Sequence, residues 1–388
     1  MKKLTLFPLL FGFVLAVSGA GTNAPAWLDR PLSLLDCVNI ALAQNADILK
    51  AKSQLEAQMG VVVQTRAVAL PQLQATGQYT DKQNSLLQQY PKINNQTIPG
   101  PPNQSWNTGI QIVQNIYAGG KIVAAFQGAT ATKLQAQANY QTALADTILL
   151  VKLAYYDVLL AEQQIVVNEA SVKLLQQELD DQKRRFDAGT VPHFNVLRAE
   201  VALANAKPAL IKARSQFRIA KNLLVNGLGY DLPREVLENI PMTLTDTFNL
   251  SAWDLVLPDA IQQALDKRTE LKALRQEINL AQVNKVNARS GYKPTIAAFA
   301  GYNWLNNGFS QNLGEHLDGL SVGGQLTWNI FDGALTIGKV KQANALYDKS
   351  RTELDDRSRQ IELNVRTAYS DFIEAKEVLE SQVKVQEQ

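Results

Sequence analysis

The same pattern occurs twice in this chain. Shifted by 223 positions, the first third aligns with the last third without a gap, so that Pro71 meets Pro294. After a loop whose length differs between the two copies, the shift becomes 214, and Gly119 meets Gly333. Each copy predicts a helix, two strands and a very long helix. A repeat of this length is a duplicated structural unit, so the 388 residues predict one extended, pseudo-symmetric body.

The first helix of each copy is predicted from apolar positions that recur three and four residues apart. In the first copy this helix covers residues 36–69, with a break or kink at Asn45-Ala46-Asp47. It ends before Pro71, because proline lacks the backbone N–H that a helix needs and clashes with the preceding turn.

Beyond each proline the period changes to two, which predicts strands with one apolar and one polar side. The polar side begins with Gln72 and Gln74 and, in the last strand, includes Gln325 and Thr327. The apolar side carries, strand by strand, Leu73, Ala75, Gly77 and Tyr79; Trp106, Thr108, Ile110 and Ile112; Ile296, Ala298, Ala300, Tyr302 and Trp304; and Val322, Gly324, Leu326, Trp328 and Ile330. Residues 81–105 and 305–320 lack periodicity and predict exposed loops.

A helix of about 70 residues, or roughly 100 Å, is predicted between Gly120 and Ala188. It carries two apolar stripes, and a helix with two stripes packs against neighbours on both sides, as a ring of helices requires. The first stripe is Leu144, Ile148, Val151, Tyr155, Val158, Ile165, Val172 and Leu179, and the second is Leu149, Leu153, Tyr156, Leu160, Val167 and Leu174. A turn at residues 189–192 and an antiparallel helix over 195–226 follow, with a local kink at Pro208.

Aromatic side chains on the apolar strand faces favour a transmembrane β-barrel over a water-soluble sheet. The residues expected to face lipid are Tyr79, Trp106, Tyr302, Trp304 and Trp328, and those expected to line the lumen are Gln72, Gln74, Gln325 and Thr327. A sheet in lipid must close, and bacterial barrels begin at about eight strands, so one chain with four needs copies of itself. Three copies supply twelve strands. The alternative is a soluble sandwich of strands against helices, which leaves the aromatic faces unexplained.

The first 20 residues predict a cleaved secretory signal, because Lys2 and Lys3 precede an apolar run that ends in small residues. The alternative is an N-terminal membrane anchor, for which the run is short. The only cysteine, Cys37, excludes an internal disulfide framework, and a net charge of +2 without a basic cluster excludes a nucleic-acid surface.

No pattern in the sequence supports an enzyme. The two histidines, His193 and His316, have no cysteine or aspartate partner at metal spacing, which argues against a metal site. Asp180-Asp181 and Asp355-Asp356 fit solvated helix faces. Nucleophile-elbow and phosphate-loop patterns are absent from the sequence, so we expect no catalytic residue and no cofactor.

Four patterns in order resemble the TolC-type outer-membrane efflux protein family, over nearly all of the chain. They are Leu32-Ser33-Leu34-x-Asp36-x-Val38-x-x-Ala41-Leu42-x-x-Asn45; Arg66-x-x-x-Leu70-Pro71-x-Leu73; Phe186-x-x-Gly189 followed by Asn195-Val196-Leu197-x-Ala199; and Asn329-Ile330-Phe331-Asp332-Gly333. The resemblance implies an α+β membrane protein. The architecture it implies is a trimeric 12-stranded transmembrane β-barrel, four strands per chain, continued by a long periplasmic α-helical barrel and internally duplicated.

The resemblance also implies partners. They are two further copies of the chain, a periplasmic adaptor (membrane fusion) protein, an inner-membrane pump and outer-membrane lipid, but no nucleic acid. It identifies the turn at Gly189, Thr190 and Val191 as the hairpin tip where adaptors dock and the channel closes. Family members tend to carry an acidic residue just after this tip, whereas here Asn195 stands there and Arg198 follows one turn on.

These inferences predict an outer-membrane export channel of a tripartite efflux or type I secretion system, passive and opened by periplasmic partners. The alternative function is a periplasmic coiled-coil interaction protein without a pore. The expected organisation is a signal at 1–20, a first repeat at 21–229, a linker at 230–258 and a second repeat at 259–388. The second repeat is expected to be truncated, because its tip and returning helix would fall beyond Gln388.

Overall fold

The computed structural model describes residues 31–83, 102–230, 240–248, 256–308 and 312–387. Its helices are α1 (Leu34–Gln44), α2 (Ala46–Ala67), α3 (Lys121–Asp187), α4 (His193–Gly227), α5 (Leu257–Lys267), α6 (Thr269–Arg289) and α7 (Leu335–Glu387). Its strands are β1 (Gln72–Asp81), β2 (Gln104–Ala118), β3 (Thr295–Asn306) and β4 (His316–Thr327). The expected signal at 1–20 lies outside the described residues.

The elements repeat with the shifts found in the sequence. Moved by 223 positions, α1 coincides with α5 at both ends, and moved by 214 the start of α3 at Lys121 coincides with the start of α7 at Leu335. The turn before each long helix also repeats, since Gly119 and Gly120 have φ of 63° and 101° and Gly333 and Ala334 have φ of 67° and 70°. The two copies therefore share local geometry as well as sequence pattern.

The described residues fall into two compact units that cut across the repeats. The first unit comprises the described parts of 1–45 and 147–250, and the second those of 46–146 and 251–388. The long helix α3 contributes to both units, with residues 121–146 in the second and 147–187 in the first.

The first unit has a core to which α1, α3 and α4 all contribute side chains. Its fully buried side chains include Leu32, Cys37, Val151, Tyr155, Leu224, Val225, Leu228 and Met242. The chain before α1 pairs with a later segment, because Leu32 N–H donates to Thr243 O at 2.9 Å and Thr245 N–H donates to Leu32 O at 3.0 Å. The N-terminus of α1 is closed by a capping box of Ser33 and Asp36, which satisfies N–H groups that a helix start leaves free.

The predicted break in the first helix is confirmed at Asn45. Its backbone is extended, with φ of −61° and ψ of 132°, and α1 ends there while α2 begins at Ala46. The buried Asn45 side chain donates through Nδ2 to Gly227 O at 2.7 Å. A side-chain hydrogen bond between the break and the end of α4 thus fixes where the helix bends.

The second unit contains one antiparallel sheet in the order β1-β2-β3-β4. β2 carries one irregularity, a register shift between Asn115 and Tyr117 where it pairs with β3. In the same unit α7 packs against α5 and α6, and Glu270 on α6 accepts from Arg268 at 3.2 Å and lies 3.6 Å from Arg357 on α7.

Two sequence predictions about the strands are wrong. The loop expected at 305–320 is shorter, because Leu305 and Asn306 pair with Leu317 and His316 and extend the β3–β4 ladder. The last strand, expected to continue to Ile330, ends at Thr327. Thr327 pairs with Thr295, the first residue of β3. Before Thr295 the chain has Pro294, which lacks a backbone N–H, and a 3-10 turn at Ser290–Tyr292, so β4 finds no further partner there.

Replacement of Gly229 by alanine should destabilise the first unit. Gly229 has φ of 82°, and an added Cβ would lie 2.5 Å from the backbone oxygen of Gln44, which cannot move without shifting the break at Asn45. We expect a loss of more than about 2 kcal/mol, measured as faster amide hydrogen exchange in α1.

Gly189→Ala is the matched control for this substitution. Gly189 has φ of 76°, but an added Cβ would meet no atom within 4 Å, so only the backbone strain of roughly 1 kcal/mol applies. Equal effects of the two substitutions would contradict the role assigned to the close approach at Gly229.

Candidate functional site

The register of the sheet sorts its side chains onto two faces, as the alternation predicts. Leu73 is opposite Ile112, Ile112 is opposite Ala300, and Ala300 is opposite Val322, so residues of all four strands share one apolar face. The apolar and small residues, with Thr108, on this face are Leu73, Ala75, Gly77, Tyr79, Trp106, Thr108, Ile110, Ile112, Ile296, Ala298, Ala300, Tyr302, Trp304, Leu320, Val322, Gly324 and Leu326, and the polar residues Asp81, Gln114 and Asp318 also fall on it. Many of its large members are exposed in the single chain.

Aromatic residues gather at the end of this apolar face that lies away from the helices. Tyr79 pairs with Trp106 across β1 and β2, and the rings of Tyr302 and Trp304 on β3 lie 4.8 Å apart. The Tyr302 hydroxyl donates to Asp318 on β4, and the Trp106 indole donates to Leu313 O at 3.0 Å. The sheet therefore places four of the five predicted lipid-facing aromatics together.

Trp328, the fifth of them, lies outside the sheet. It follows the last residue of β4, and its indole donates to Tyr292 O at 3.2 Å, beside the start of β3. It is therefore found at the opposite end of the sheet from Tyr79 and Trp106.

The other face of the sheet is mainly polar and holds all four predicted lumen residues. Gln72 and Gln74 share this face of β1, with their side-chain amides 3.4 Å apart, and Gln325 and Thr327 share it on β4. Four large apolar side chains that the sequence pattern did not place on this face also fall there: Val113, Phe299, Leu305 and Leu317. A Cβ built on Gly323 would lie 2.7 Å from the Phe299 ring, so the glycine leaves the ring its space.

The turn between α3 and α4 is the predicted hairpin tip. Gly189 takes the left-handed conformation, with φ of 76°, that ends a helix without strain in glycine. The next residue, Thr190, closes the end of α3, since both its N–H and its hydroxyl donate to Arg185 O, at 2.9 Å and 2.8 Å. The turn therefore satisfies a carbonyl group that the end of α3 would otherwise leave free.

The predicted tip residues lie on this turn and on the first two turns of α4. Val191 is half-buried, whereas Arg198 is exposed on α4. Asn195 is half-buried, and its N–H donates to Pro192 O at 3.0 Å. Next to the turn, the His193 ring lies 5.3 Å from the Phe186 ring in an edge-on arrangement.

One of the two apolar stripes of α3 is buried and the other is exposed, within the part of the chain that the structure describes. Val151, Tyr155 and Val158 belong to the core of the first unit, and Leu179 packs with Val196, Ala199 and Leu203 of α4 near the tip. The members of the second stripe are exposed: Leu149, Leu153, Tyr156, Leu160, Val167 and Leu174. The helix therefore has two apolar stripes, and other residues of the same chain cover only the first of them.

Asp246 connects three segments of the first unit and carries no local signal in the sequence. Its carboxylate accepts from the Tyr155 hydroxyl at 2.9 Å and from Leu34 N–H at the start of α1, also at 2.9 Å. The Tyr155 hydroxyl lies 3.2 Å from Leu32 O as well. Because these partners lie far apart in the sequence, only the folded chain brings them together.

Among the residues described, no group of three or more His, Cys, Asp or Glu side chains is arranged to hold a metal ion. Asp181 pairs with Arg185 at 2.7 Å and Asp356 with Arg359 at 3.3 Å, on exposed helix faces. Cys37 is buried, and this burial, with Asp36 and Asp246 nearby, raises the pKa of its thiol to about 12.

Among the helices that the structure describes, none carries an apolar stretch long enough to cross a membrane.

Comparison with known proteins gives consistent matches. A sequence model of the family described as outer membrane efflux protein matches residues 37–230 and 260–387. The outer membrane protein TolC of Vibrio cholerae is 26% identical over 382 residues, covering 97% of this chain and 80% of that protein. The proteases secretion protein PrtF of Dickeya chrysanthemi is 22% identical, covering 93% of this chain and 76% of that protein.

Solved structures share the fold. The outer-membrane channel OprN superposes with a TM-score of 0.73 at 18% identity, covering 90% of this chain and 76% of that one. The outer membrane protein VceC of Vibrio cholerae superposes with a TM-score of 0.71 at 17% identity, covering 92% and 81%.

Truncation of the two stripes of α3 should have different effects. Leu179 is 5% exposed and packs against α4, so Leu179→Ala should destabilise the hairpin by about 2–5 kcal/mol and speed amide exchange on both sides of the tip. Leu174 is 66% exposed, so Leu174→Ala should leave exchange in the same hairpin unchanged in a detergent-dissociated single chain. Equal acceleration by both variants would contradict the assignment of the stripes.

Proposed function

The chain belongs to the outer membrane efflux protein family and is an outer-membrane export channel with a periplasmic extension; we propose that three copies close around one pore that periplasmic and inner-membrane partners open. In this organisation residues 1–20 are the export signal, 21–229 and 259–388 are the two repeats, and 230–258 join them. The channel is passive, and the energy for export comes from the pump.

One observation carries the proposal: a four-stranded sheet with an apolar and a polar face whose two edge strands, β1 and β4, each pair on one side only within the described residues. In lipid each unpaired backbone group costs several kcal/mol, so spanning sheets close into barrels. Eight strands, as two copies would supply, leave an interior just wide enough for side chains to fill. Twelve strands from three copies leave room for a conduit.

The two faces of the sheet supply the two environments of such a barrel. The apolar face, with Leu326 and Val322 among its exposed members, is assigned to lipid, and the aromatics Tyr79, Trp106, Tyr302, Trp304 and Trp328 are assigned to the membrane interfaces. The polar face, with Gln72, Gln74, Gln325 and Thr327, is assigned to the lumen. Uncharged amide and hydroxyl groups provide a polar lining without selecting one sign of charge.

The exposed stripe of α3 supports the periplasmic part of the proposal. A row of large apolar side chains along a helix is stable in water only when another surface covers it. In a ring of helices each helix contacts two neighbours, so the stripe that includes Leu153 and Val167 packs against a helix outside its own hairpin. The helices of three copies then form the wall of a periplasmic tube.

The hairpin tip is the proposed place of docking and opening. Gly189, Thr190, Val191, Asn195 and Arg198 present a compact turn to a periplasmic adaptor, and the adaptor connects the channel to an inner-membrane pump. Asn195 and Arg198 supply no negative charge at this position, which favours an adaptor surface that binds through neutral or acidic groups. Opening follows from an iris-like movement of the hairpins.

Fractionation separates this proposal from a periplasmic scaffold without a pore. A closed barrel stays with the outer membrane after a wash at high salt, because the apolar face binds lipid independently of charge, whereas a scaffold held by ionic contacts is released. Recovery of the chain in the wash would overturn the proposal.

Arginine on the two faces of β4 should have opposite consequences. Leu326→Arg places a charge on the proposed lipid face and should cost about 2–4 kcal/mol near the midplane, which lowers the amount of assembled protein in the outer membrane. Gln325→Arg, the neighbouring residue on the polar face, should be tolerated. Equal loss of outer-membrane protein in the two variants would refute the assignment of the faces.

A further inference from the structure

The two halves of the sheet differ in strand length at one end, and this difference indicates how the edge strands of two copies pair. β2 continues to Ala118, which the shift of 214 carries to Asp332, yet β4 ends at Thr327. The residues after β4 are left strongly exposed, with Ile330 at 85% and Phe331 at 87%. Their counterparts in β2, Ile116 and Tyr117, lie in a strand because β3 pairs with that segment.

We propose that β4 of one copy pairs with β1 of a second copy in the register that β2 and β3 use within the chain, and that this pairing extends β4 to Asp332. The inference rests on the proposed function, since it requires copies that close a barrel. The β2–β3 pair joins the first repeat to the second, and the β4–β1 seam joins the second repeat to the first of the next copy. The two junctions are therefore equivalent in a ring of repeats.

The repeat shifts give this seam a definite register. Ile110 pairs with Tyr302 within the chain. Moving Ile110 forward by 214 positions gives Gly324, and moving Tyr302 back by 223 positions gives Tyr79, so Gly324 lies opposite Tyr79 of the neighbouring copy. The same operation applied to the rest of the ladder gives Val322 opposite Asp81, Gln325 opposite Gln78, Leu326 opposite Gly77, Thr327 opposite Thr76, Trp328 opposite Ala75, Phe331 opposite Leu73 and Asp332 opposite Gln72. The register shift between Asn115 and Tyr117 recurs at Ile330, which becomes the bulged residue.

The side chains brought together by this register are complementary. Every pair joins residues of the same face, apolar with apolar or polar with polar, and a slip of one residue would reverse the faces. On the polar face Gln325 meets Gln78 and Thr327 meets Thr76, pairs that can exchange hydrogen bonds. On the apolar face Tyr79 meets Gly324, a small residue that leaves space for its ring, as Gly323 does for Phe299 within the chain.

The register also gives every residue of β1 a partner. β1 offers ten residues, Gln72–Asp81, and the extended β4 supplies partners along the whole strand. Asp332 then marks the end of the strand and the start of α7, where its carboxylate already accepts from Thr336 N–H at 2.9 Å. The strand prediction to Ile330, wrong for the single chain, describes the strand that the neighbouring copy completes.

Cysteine pairs in the full-length protein test the register, because slips of two residues keep the faces matched. Gln78→Cys with Gln325→Cys should oxidise to a covalent ring of three, seen on a non-reducing gel. Thr76→Cys or Thr80→Cys with Gln325→Cys are the controls, and since diagonal neighbours lie about 7–8 Å apart they should give roughly tenfold less. The native Cys37 is buried and does not compete.

Hydrogen exchange of the unmodified protein from the outer membrane gives a second readout, independent of the variants. Amides of residues 328–332 should exchange at least about tenfold more slowly in the assembled protein than in detergent-dissociated chains, apart from the bulged Ile330. Dominant cross-linking of either control pair, or equal exchange in both states, would overturn the register. If the protein nevertheless stays in the membrane during the high-salt wash, only the register is refuted and closure by copies is retained. If the wash releases the protein, the proposed function is refuted as well.

Discussion

The backbone of the sheet imposes the constraint on which the rest of this structure depends. Each strand carries N–H and C=O groups that lipid cannot satisfy, and a sheet with two edges leaves one row of these groups unpaired along each edge. The described residues provide four strands, too few to close into a barrel on their own. Membrane insertion therefore requires assembly, and the duplicated sequence, the register and the long helices are all compatible with a ring of copies.

Because the chain is duplicated, similar contacts can form within one copy and between neighbouring copies of such a ring. In the proposed ring, contacts inside the chain have counterparts between chains, because α1 and α5 coincide under one shift and the starts of α3 and α7 under another. A trimer of duplicated chains then contains six similar units. The exposed stripe of α3 and the free edges of β1 and β4 are incomplete in a single chain for this shared reason.

Much of the architecture could be predicted from the sequence because its signals are local or periodic. Alternation assigned the two faces of every strand, and Asn45 marked the break between α1 and α2. Other features depend on partners distant in sequence. Gly319 and Asp318 resemble loop residues and become part of β4 only because Asn303 and Trp304 on β3 pair with them. Asp246 is joined to Tyr155 and Leu34 by folding alone.

The number of strands around the pore shows most directly whether three copies close one barrel. Electron cryo-microscopy of the complex in lipid nanodiscs would show the barrel in cross-section. The account predicts a closed ring of twelve strands, four from each of three copies, around a lumen lined by the polar face of the sheet. An open sheet, or a barrel closed by eight strands from two copies, would contradict it.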